Sequence, residues 1–355
     1  MGVPWEHLRR EDRRWGFRPI PWWRRFMLST QGTPTRPPSR VGSGSPGNMR
    51  GIPVTLCAAI DIGSNTTRLL VAEPVDGQLK KVMEQRAYTR IGKAVDKKGR
   101  ISAEKIGEVG EVVATQVRLA REMGAEEIRA VATAAVRDAR NCEEVAEEVG
   151  AAAGVPIEVL PEEEEGRLSF IGATKTLGHA PEGTVGVVDI GGGSTEVILG
   201  TVPGGVQSVR SWPVGSGNLA EELLSSDPPS AAEIRRTRDR IDDIFEGVEI
   251  ERPAQAVAVG GSATSLRRLV GAVLEYETLE RGIRVLCGDP AAEVGRRFEL
   301  DPTRVRILPT GVLLLEKLSD LLGQPLQIGK GGLREGVILD LLNGSLEGSA
   351  ERVAV

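Results

Sequence analysis

Residues 61–68 read DIGSNTTR, and residues 189–196 read DIGGGSTE. Each stretch follows a short apolar run and continues into another one, TLCAAI and RLLVAE in the case of the first copy. Two apolar runs joined by a turn rich in Gly, Ser, Thr or Asn predict a β-hairpin. The sequence therefore predicts two similar β-hairpins.

The pattern around the hairpins repeats as well. Ser102 and Gly124 have the properties of the start and end of a helix, and strand and helix patterns alternate after it and again after the second hairpin. This order predicts an α/β protein with two duplicated domains and a cleft between them. The expected parts are a disordered tail at residues 1–50, domain I at 51–168, domain II at 169–346 and a short tail at 347–355.

The first fifty residues differ in composition from the rest. They contain ten Arg, three acidic residues, seven Pro and four of the five Trp, without a periodicity that could build a core. No long apolar run follows the basic residues, which argues against a signal peptide. The segment is either an arm for anionic surfaces or an extension upstream of a start at Met49, and the second interpretation is favoured.

Composition excludes several kinds of chemistry. No run approaches the roughly 18 apolar residues of a membrane span, and the three widely spaced cysteines favour a soluble protein of the reducing cytoplasm. The two histidines, His7 and His179, leave little for a Ser-His-Asp triad or a histidine-rich metal site. Catalysis is therefore expected to use carboxylates, backbone amides, arginine and a metal ion.

The two glycine turns are candidate phosphate sites, because consecutive backbone amides in such turns can form a concave anion nest. Asp61 and Asp189 head the turns and are placed to meet a hydrated divalent cation bound to the phosphate. The alternative for each aspartate is an Asx-turn that only caps the loop. The candidate phosphate ligands are Gly63, Ser64, Asn65, Gly191, Gly192, Gly193 and Ser194.

A third glycine turn occurs in VAVGGSATSLRR, residues 257–268. A strand, a Gly-Gly turn and the start of a helix bring free amides to a helix N-terminus, which is an anion site. Gly261 and Ser262 are the candidates here, and the alternative is an ordinary tight connection between strand and helix.

An acidic run, Glu162 to Glu165, follows Pro161. Such a run is usually a solvated helix start, but hydrolysis of a phosphoanhydride requires a group that activates water. Glu196, directly after the second turn, is another candidate for that role. Arg137 could stabilise the charge on the transferred phosphoryl group, or it could be a surface arginine paired with Asp138.

Taken together, AAIDIGSNTTRLLV, VATAAVRDARN, PIEVLPEEEEGRLSFIG, VVDIGGGSTEVILG, VAVGGSATSL and GLREGVILDLL resemble the exopolyphosphatase and guanosine pentaphosphate phosphatase family. That family belongs to the superfamily of actin, Hsp70 and the sugar kinases. The resemblance covers about residues 54–345 and is to the short, two-domain members. It implies two actin-like, ribonuclease H-like domains.

The resemblance also implies roles for individual residues. Glu165 corresponds to the glutamate that activates water, and Arg137 faces the terminal phosphate. Asp189 and Glu196 are implied in Mg²⁺ binding and water positioning, and Asp61 stays a metal candidate from its place at the first turn. The chain departs from the family pattern in two places: Pro161 and Glu162 stand where the family has Ser-Gly, and Asn218 stands where it has an arginine.

The function expected from the resemblance is release of orthophosphate from the end of inorganic polyphosphate by Mg²⁺-assisted attack of water. The alternatives are hydrolysis of guanosine pentaphosphate, an actin-like nucleotide-binding module with little catalysis, and a kinase. The expected partners are polyphosphate or guanosine penta- or tetraphosphate, without specific nucleic acid or membrane. The apolar segment GVLLLEKLSDLL is assigned to the core in preference to a dimer surface, and a homodimer stays possible.

Overall fold

The structure is a computed structural model that describes residues 56–75 and 78–353, with side chains described as far as residue 343. The predicted disordered tail at residues 1–50 lies outside the described residues. Within the described part, no helix combines the length and apolar character required to cross a bilayer.

The first half of the described chain forms a mixed sheet with helices packed against it. The sheet has five strands, of which the third to fifth along the chain are separated by helices. In chain order the elements are β1 (Leu56–Ile62), β2 (Thr67–Val75), β3 (Gln78–Ala87), a 3₁₀ turn (Ile91–Ala94), α1 (Ala103–Glu122), β4 (Ala125–Ala132), α2 (Ala134–Arg137), α3 (Cys142–Ala153) and β5 (Ile157–Val159).

Helix α4 (Glu162–Lys175) leads from the first half of the chain to the second. The second half forms a six-stranded sheet with a larger set of helices. Its elements are β6 (Val185–Ile190), β7 (Thr195–Thr201), β8 (Gly205–Trp212), α5 (Ser216–Leu223), α6 (Ala231–Ile244), β9 (Gln255–Val259), α7 (Gly260–Val270), β10 (Val273–Leu274), α8 (Tyr276–Gly288), α9 (Ala291–Phe298), α10 (Pro302–Leu322), β11 (Leu326–Ile328) and α11 (Leu333–Val353).

The two sheets share one strand order. The first runs β3-β2-β1-β4-β5, and the second contains β8-β7-β6-β9 in the corresponding positions. In each sheet the predicted hairpin is antiparallel, and its first strand pairs in parallel with a later strand, β1 with β4 and β6 with β9. The prediction of two duplicated α/β halves is confirmed, and the two glycine turns occupy equivalent ends of equivalent strands.

Local signals placed several helices correctly. Ser102 is the N-cap of α1, and its hydroxyl accepts a hydrogen bond from the amide of Lys105 at 3.3 Å. The segment GVLLLEKLSDLL forms the second half of α10, and all of its leucines except the half-buried Leu321 are buried. Their burial in the chain's own core accounts for the apolar pattern of this helix.

Helix α11 returns to the first sheet. Arg167 of α4 and Asp340 of α11 form an ion pair at 2.8 Å, which ties the two helices together. The backbone stays helical to Val353, past residue 346, where a tail was expected. Val337 and Ile338 pack against apolar side chains of β1 and β2, namely Cys57, Ala59, Leu70 and Ala72.

Glu233 organises the loop that precedes α6. Its buried carboxylate accepts hydrogen bonds from the amides of Ser225, Ser226 and Ser230 at 2.6, 2.9 and 2.7 Å. Hydroxyl groups of the same serines also donate to it. These hydrogen bonds hold the pKa of Glu233 well below its usual range, although burial opposes them.

Glu233→Gln is expected to lower the free energy of unfolding by about 2–3 kcal/mol at pH 7, because the donors lose a charged acceptor. Since the folded-state pKa is depressed, this contribution is present above the unfolded-state pKa and is lost as the pH falls below about 4. Urea unfolding at pH 7 and pH 3 measures both values, with exposed Glu246→Gln as the control. If the difference in the free energy of unfolding between Glu233→Gln and wild type is as large at pH 3 as at pH 7, this account is contradicted.

Candidate active site

The two glycine turns lie tip to tip. A Cβ atom on Gly192 would stand 2.8 Å from the Cβ of Asn65, and one on Gly193 would stand 2.9 Å from the Oγ of Ser64. Larger residues in the second turn would therefore push the tips apart. Both turns line one cavity of about 460 Å³.

The four carboxyl groups predicted from the sequence line the same cavity. Asp61 lies opposite Arg68 in the first hairpin, and Asp189 lies opposite Glu196 in the second, so the hairpin register brings these side chains to the cavity. Glu165, from the first turn of α4, is the fourth. The sequence prediction placed these four groups in one site, and the structure brings them together.

Burial raises the pKa of each aspartate. The pKa of Asp189 rises to about 6 through burial and the nearby charge of Asp61, although Arg68 lowers it. Burial also raises the pKa of Asp61 against the opposing effect of Arg68 and Arg334. Such mutual repulsion among buried carboxylates favours binding of a cation.

Glu196 shows the same effect most strongly. Burial is the largest cause, and the charges of Glu165 and Asp189 add to it, so the pKa of Glu196 lies well above its usual range. Its Oε1 accepts a hydrogen bond from the hydroxyl of Ser211 at 3.2 Å. This carboxyl group is fixed in place beside the second glycine turn.

Arg137 holds Glu165 in place. The Nη1 group of Arg137 donates to the Oε2 of Glu165 at 2.6 Å and to the carbonyl oxygen of Leu160 at 3.1 Å. The Arg137 side chain is only 15% exposed, and its ion pair with Asp138 is longer, at 3.5 Å. Arg137 is therefore a partly buried partner of Glu165, not a surface arginine paired with Asp138 alone.

Glu165 has the electrostatics of a general base. Burial raises its pKa, the hydrogen bond and charge of Arg137 lower it, and Asp61 and Asp189 raise it again, with a result of about 7. A carboxyl group with a pKa near neutrality can accept a proton from water and release it again at the working pH. Of the other three acids of the run, Glu162 and Glu163 are exposed and Glu164 is half-buried.

The donor set fits Mg²⁺. Among the described residues, no group of three or more His, Cys, Asp or Glu side chains is placed to hold a metal ion. Mg²⁺ seldom requires one, because it keeps several waters and is bound by one or two carboxylates together with substrate phosphates. Asp61 and Asp189 supply two such carboxylates in one cavity.

Arginines that the sequence prediction missed line the same cavity. Arg68, Arg86 and Arg304 reach it from β2, β3 and α10, and none of them has a carboxylate within 4.0 Å in the part of the chain that is described. Arg68 is the last residue of DIGSNTTR, so its position in the motif was a usable signal. Arg304 lies far away in sequence, and only the fold brings it here.

Arg304 is the most unusual of these arginines. Its Nε donates to the hydroxyl of Ser265 at 3.1 Å, while its Nη2 is buried without a hydrogen-bond partner in the described residues. Burial and the charges of Arg68 and Arg86 lower its pKa to about 9. A buried guanidinium with an unmet donor indicates an anionic ligand.

The two residues predicted at the third glycine turn lie in different surroundings. Gly261 lines the cavity, and a Cβ atom there would lie 2.1 Å from the Nη2 of Arg304. Ser262, predicted to contact phosphate, is 1% exposed, and its hydroxyl lies 3.1 Å from that of Ser216. The structure corrects this prediction: Ser262 is the third residue of α7 and faces the core.

The other predicted residues lie together. The cavity lining includes every predicted acid and every predicted residue of the first two turns, whereas Arg137 lines an adjoining cavity of about 1000 Å³ and reaches the site through Glu165. The two cavities share residues at the turn tips, namely Ser64, Asn65, Gly192, Gly193 and Ser194.

Comparison with known proteins agrees with this geometry. The model of the Ppx/GppA phosphatase family matches residues 70–344. The chain belongs to the Ppx/GppA phosphatase family. The match includes the second glycine turn, the acidic run and the third turn, and it ends within α11.

Relatives within the Ppx/GppA family match over nearly their whole length. Exopolyphosphatase 2 of Mycobacterium tuberculosis is 32% identical over 320 residues, which cover 83% of this chain and 99% of the relative. Exopolyphosphatase 1 of Mycobacterium bovis is 31% identical over 309 residues, 82% of this chain and 89% of the relative.

Solved structures of the Ppx/GppA family share the fold. The Aquifex aeolicus family member has a TM-score of 0.69 at 31% identity, and the match covers 82% of this chain and 99% of that one. An exopolyphosphatase from Cytophaga hutchinsonii has a TM-score of 0.70 at 19% identity, which supports the fold alone. The family resemblance and the two-domain α/β fold predicted from the sequence are thus confirmed.

Proposed function

We propose that this protein releases orthophosphate from the end of inorganic polyphosphate. The observation that carries the proposal is Glu165, a buried carboxyl group with a pKa near 7, held by Arg137 beside two glycine turns. Relatives that are about 30% identical over most of the chain are exopolyphosphatases, which supports the same reaction.

In the proposed reaction, the terminal phosphate of the chain lies against the backbone amides of the two glycine turns. Glu165 accepts a proton from a water molecule as the water oxygen forms a bond to the terminal phosphorus. The bond from that phosphorus to the bridging oxygen breaks, and the shortened chain carries away the bonding electron pair. Arg137 stabilises the negative charge on the transferred group and keeps Glu165 oriented.

Asp61 and Asp189 are the residues that would hold Mg²⁺, with Glu196 beside them. When bound, the ion supplies positive charge that neutralises phosphate oxygens.

The arginines of the cavity are proposed to hold the next phosphates of the chain. Arg68, Arg86 and Arg304 lack carboxylate partners within 4.0 Å among the described residues, so an extended polyanion can satisfy their donors. Three cations in one cavity suit a polyanion better than a single phosphate monoester.

Arg304→Met is expected to raise KM for polyphosphate about 10-fold or more with little change in kcat, because it removes a charged donor that is proposed to hold phosphates behind the terminal one. Stability is expected to hold or rise, since a buried charge without a partner is removed. Steady-state kinetics and thermal unfolding measure the two effects. Arg297→Met, at an exposed arginine paired with Asp289, is the control, and an unchanged KM for Arg304→Met would contradict this role.

Hydrolysis of guanosine pentaphosphate is the alternative within the family, since its 5′ phosphate could occupy the same turns. Phosphate release with Mg²⁺ from long-chain polyphosphate, tripolyphosphate, guanosine pentaphosphate and ATP separates the possibilities. Fastest release from long-chain polyphosphate supports the proposal, and a preference for the pentaphosphate would replace it. Binding of ATP without turnover on any substrate would favour the actin-like nucleotide-binding module.

We also propose that the protein works in the cytoplasm. Cys57, Cys142 and Cys287 form no disulfide among the described residues, and burial raises the pKa of Cys57 to about 11 and that of Cys287 to about 12. Cysteines outside disulfides are typical of a reducing compartment, and a raised pKa keeps a thiol protonated.

A further inference from the structure

The first turn of α5 binds the carbonyl groups of the second glycine turn. The carbonyl oxygen of Gly191 accepts from the amide of Ser216 at 3.0 Å and from its hydroxyl at 3.1 Å. The carbonyl oxygen of Gly192 accepts from the amide of Gly217 at 2.9 Å. Free amides at the start of a helix are thus used by carbonyls of the same chain.

Asn218 makes the remaining hydrogen bonds between the start of α5 and the second glycine turn. Its Nδ2 group donates to the carbonyl oxygen of Gly193 at 3.3 Å, and its backbone amide donates to that of Gly192 at 3.0 Å. Its Oδ1 accepts from the amide of Gly215 at 2.8 Å, which caps the helix. The residue that replaces an arginine of the family pattern therefore binds the turn itself. Three consecutive carbonyl groups of the turn are held by three consecutive residues.

Fixing these carbonyls also fixes the amides. In a trans peptide, the N–H of the next residue points away from the C=O of the previous one. The amides of Gly192, Gly193 and Ser194 therefore point away from α5, and they have no protein acceptor within the described residues. The turn lines the 460 Å³ cavity that holds the four carboxyl groups, whereas residues 216–218 do not.

The first glycine turn has an equivalent arrangement. The carbonyl oxygen of Ser64 accepts from the amide of Gly92 at 2.8 Å, and that of Asn65 accepts from the amide of Arg90 at 3.0 Å. Arg90 adopts a φ of 50°, a left-handed conformation that is unfavourable for a non-glycine residue. In both duplicated halves, backbone amides of a later segment thus hold the carbonyl groups of the glycine turn, although the segments that supply the donors differ.

We propose that Ser216, Gly217 and Asn218 form a positioning element for phosphate. They act through the second glycine turn: by holding its carbonyls, they aim its amides at the terminal phosphate. This inference rests on the proposed phosphate chemistry of the cavity and adds the residues that set its geometry.

A second layer fixes the positioning element in turn. The hydroxyl of Thr310, in α10, donates to the carbonyl oxygen of Ser216 at 2.6 Å. The hydroxyl of Ser262 lies 3.1 Å from that of Ser216. Ser262, which the sequence placed at the phosphate, therefore acts two contacts away from it. The glycine motif of the third turn supports the second turn through α5.

Gly217→Ala separates positioning from helix stability. A Cβ atom on Gly217 would stand 2.8 Å from the carbonyl oxygen of Gly192, so it displaces the turn by several tenths of an ångström. Alanine favours the helix over glycine, so α5 itself is not weakened. Gly107→Ala is the matched control, because Gly107 is also helical and a Cβ there meets nothing within 4 Å.

The experiment measures the Kd for inorganic phosphate by calorimetry, phosphate release from polyphosphate, and Tm. For Gly217→Ala we expect Kd for phosphate to rise and kcat/KM to fall, each on the order of 10–100-fold, and kcat to fall as well. The Tm should stay within a few degrees of the wild-type value. Gly107→Ala is expected to match wild type in Kd and kcat/KM.

Ser216→Ala, which removes one donor to Gly191 and leaves the backbone unchanged, is expected to weaken phosphate binding about 3–10-fold. Wild-type affinity for phosphate in both Gly217→Ala and Ser216→Ala would overturn the inference, as would a wild-type protein that does not bind phosphate at all. A wild type that binds phosphate but does not cleave polyphosphate would refute the proposed function alone, and the affinities of the variants would still decide the role of α5.

Discussion

Glu165→Gln is expected to lower kcat for polyphosphate by about 10³-fold, because the amide cannot accept the proton of the attacking water. The variant keeps the shape of the side chain, and its amide oxygen can still accept from Arg137, so the fold and KM should change little. Steady-state phosphate release and a polyphosphate binding measurement test the two halves of this expectation.

The pH dependence provides a second criterion for the same residue. A base must be deprotonated to act, and the pKa of Glu165 is about 7, so kcat/KM of the wild type should rise with pH through that region. The residual kcat/KM of Glu165→Gln should not show this rise with pH. Exposed Glu163→Gln, from the same acidic run, is the control. Full activity in Glu165→Gln would remove this residue from the mechanism.

Gly260→Ala is expected to lower kcat/KM about 100-fold through displacement of a carboxylate at the site. Gly260 has a φ of 80°, and a Cβ atom there would lie 2.4 Å from the Oδ1 of Asp189 and 3.0 Å from the carbonyl oxygen of Ile190. The change should also cost about 1–3 kcal/mol of stability because of the left-handed backbone. Phosphate release and urea unfolding measure the two effects.

Gly178→Ala separates the two effects of that substitution. Gly178 has a φ of 83°, but a Cβ atom there meets nothing within 4 Å. It should therefore lose comparable stability and keep wild-type activity. Equal activity in Gly260→Ala and Gly178→Ala would show that Asp189 can be displaced without consequence, and would exclude it from the reaction.

Local pattern predicted the parts of the site that come from the strand ends. DIGSNTTR and DIGGGSTE each place an aspartate, a glycine turn and a following polar residue in one hairpin, and a hairpin's register is fixed by its own short turn. The acidic run at the start of α4 was recognised as a candidate from its sequence, and the family resemblance then singled out Glu165. These features depend on contacts between near neighbours along the chain.

The remaining features depend on distant contacts. Arg304 reaches the cavity because α10 packs against α7, and its own sequence context shows only a capped helix start at Asp301 and Pro302. Ser262 was assigned to phosphate from its place after a glycine pair, but helix phase turns its hydroxyl towards Ser216. The direction in which the amides of the second glycine turn point depends in the same way on α5, which lies more than twenty residues further along the chain.

The central claim is that water attacks the terminal phosphorus of polyphosphate. The most direct measurement is phosphate release from long-chain polyphosphate in ¹⁸O-labelled water with Mg²⁺, followed by mass spectrometry of the released orthophosphate. The account predicts one labelled oxygen in each orthophosphate released by the wild type, and at least a 100-fold slower appearance of that product with Glu165→Gln. Orthophosphate without label, transfer of the phosphoryl group to another acceptor, or no release at all would contradict it.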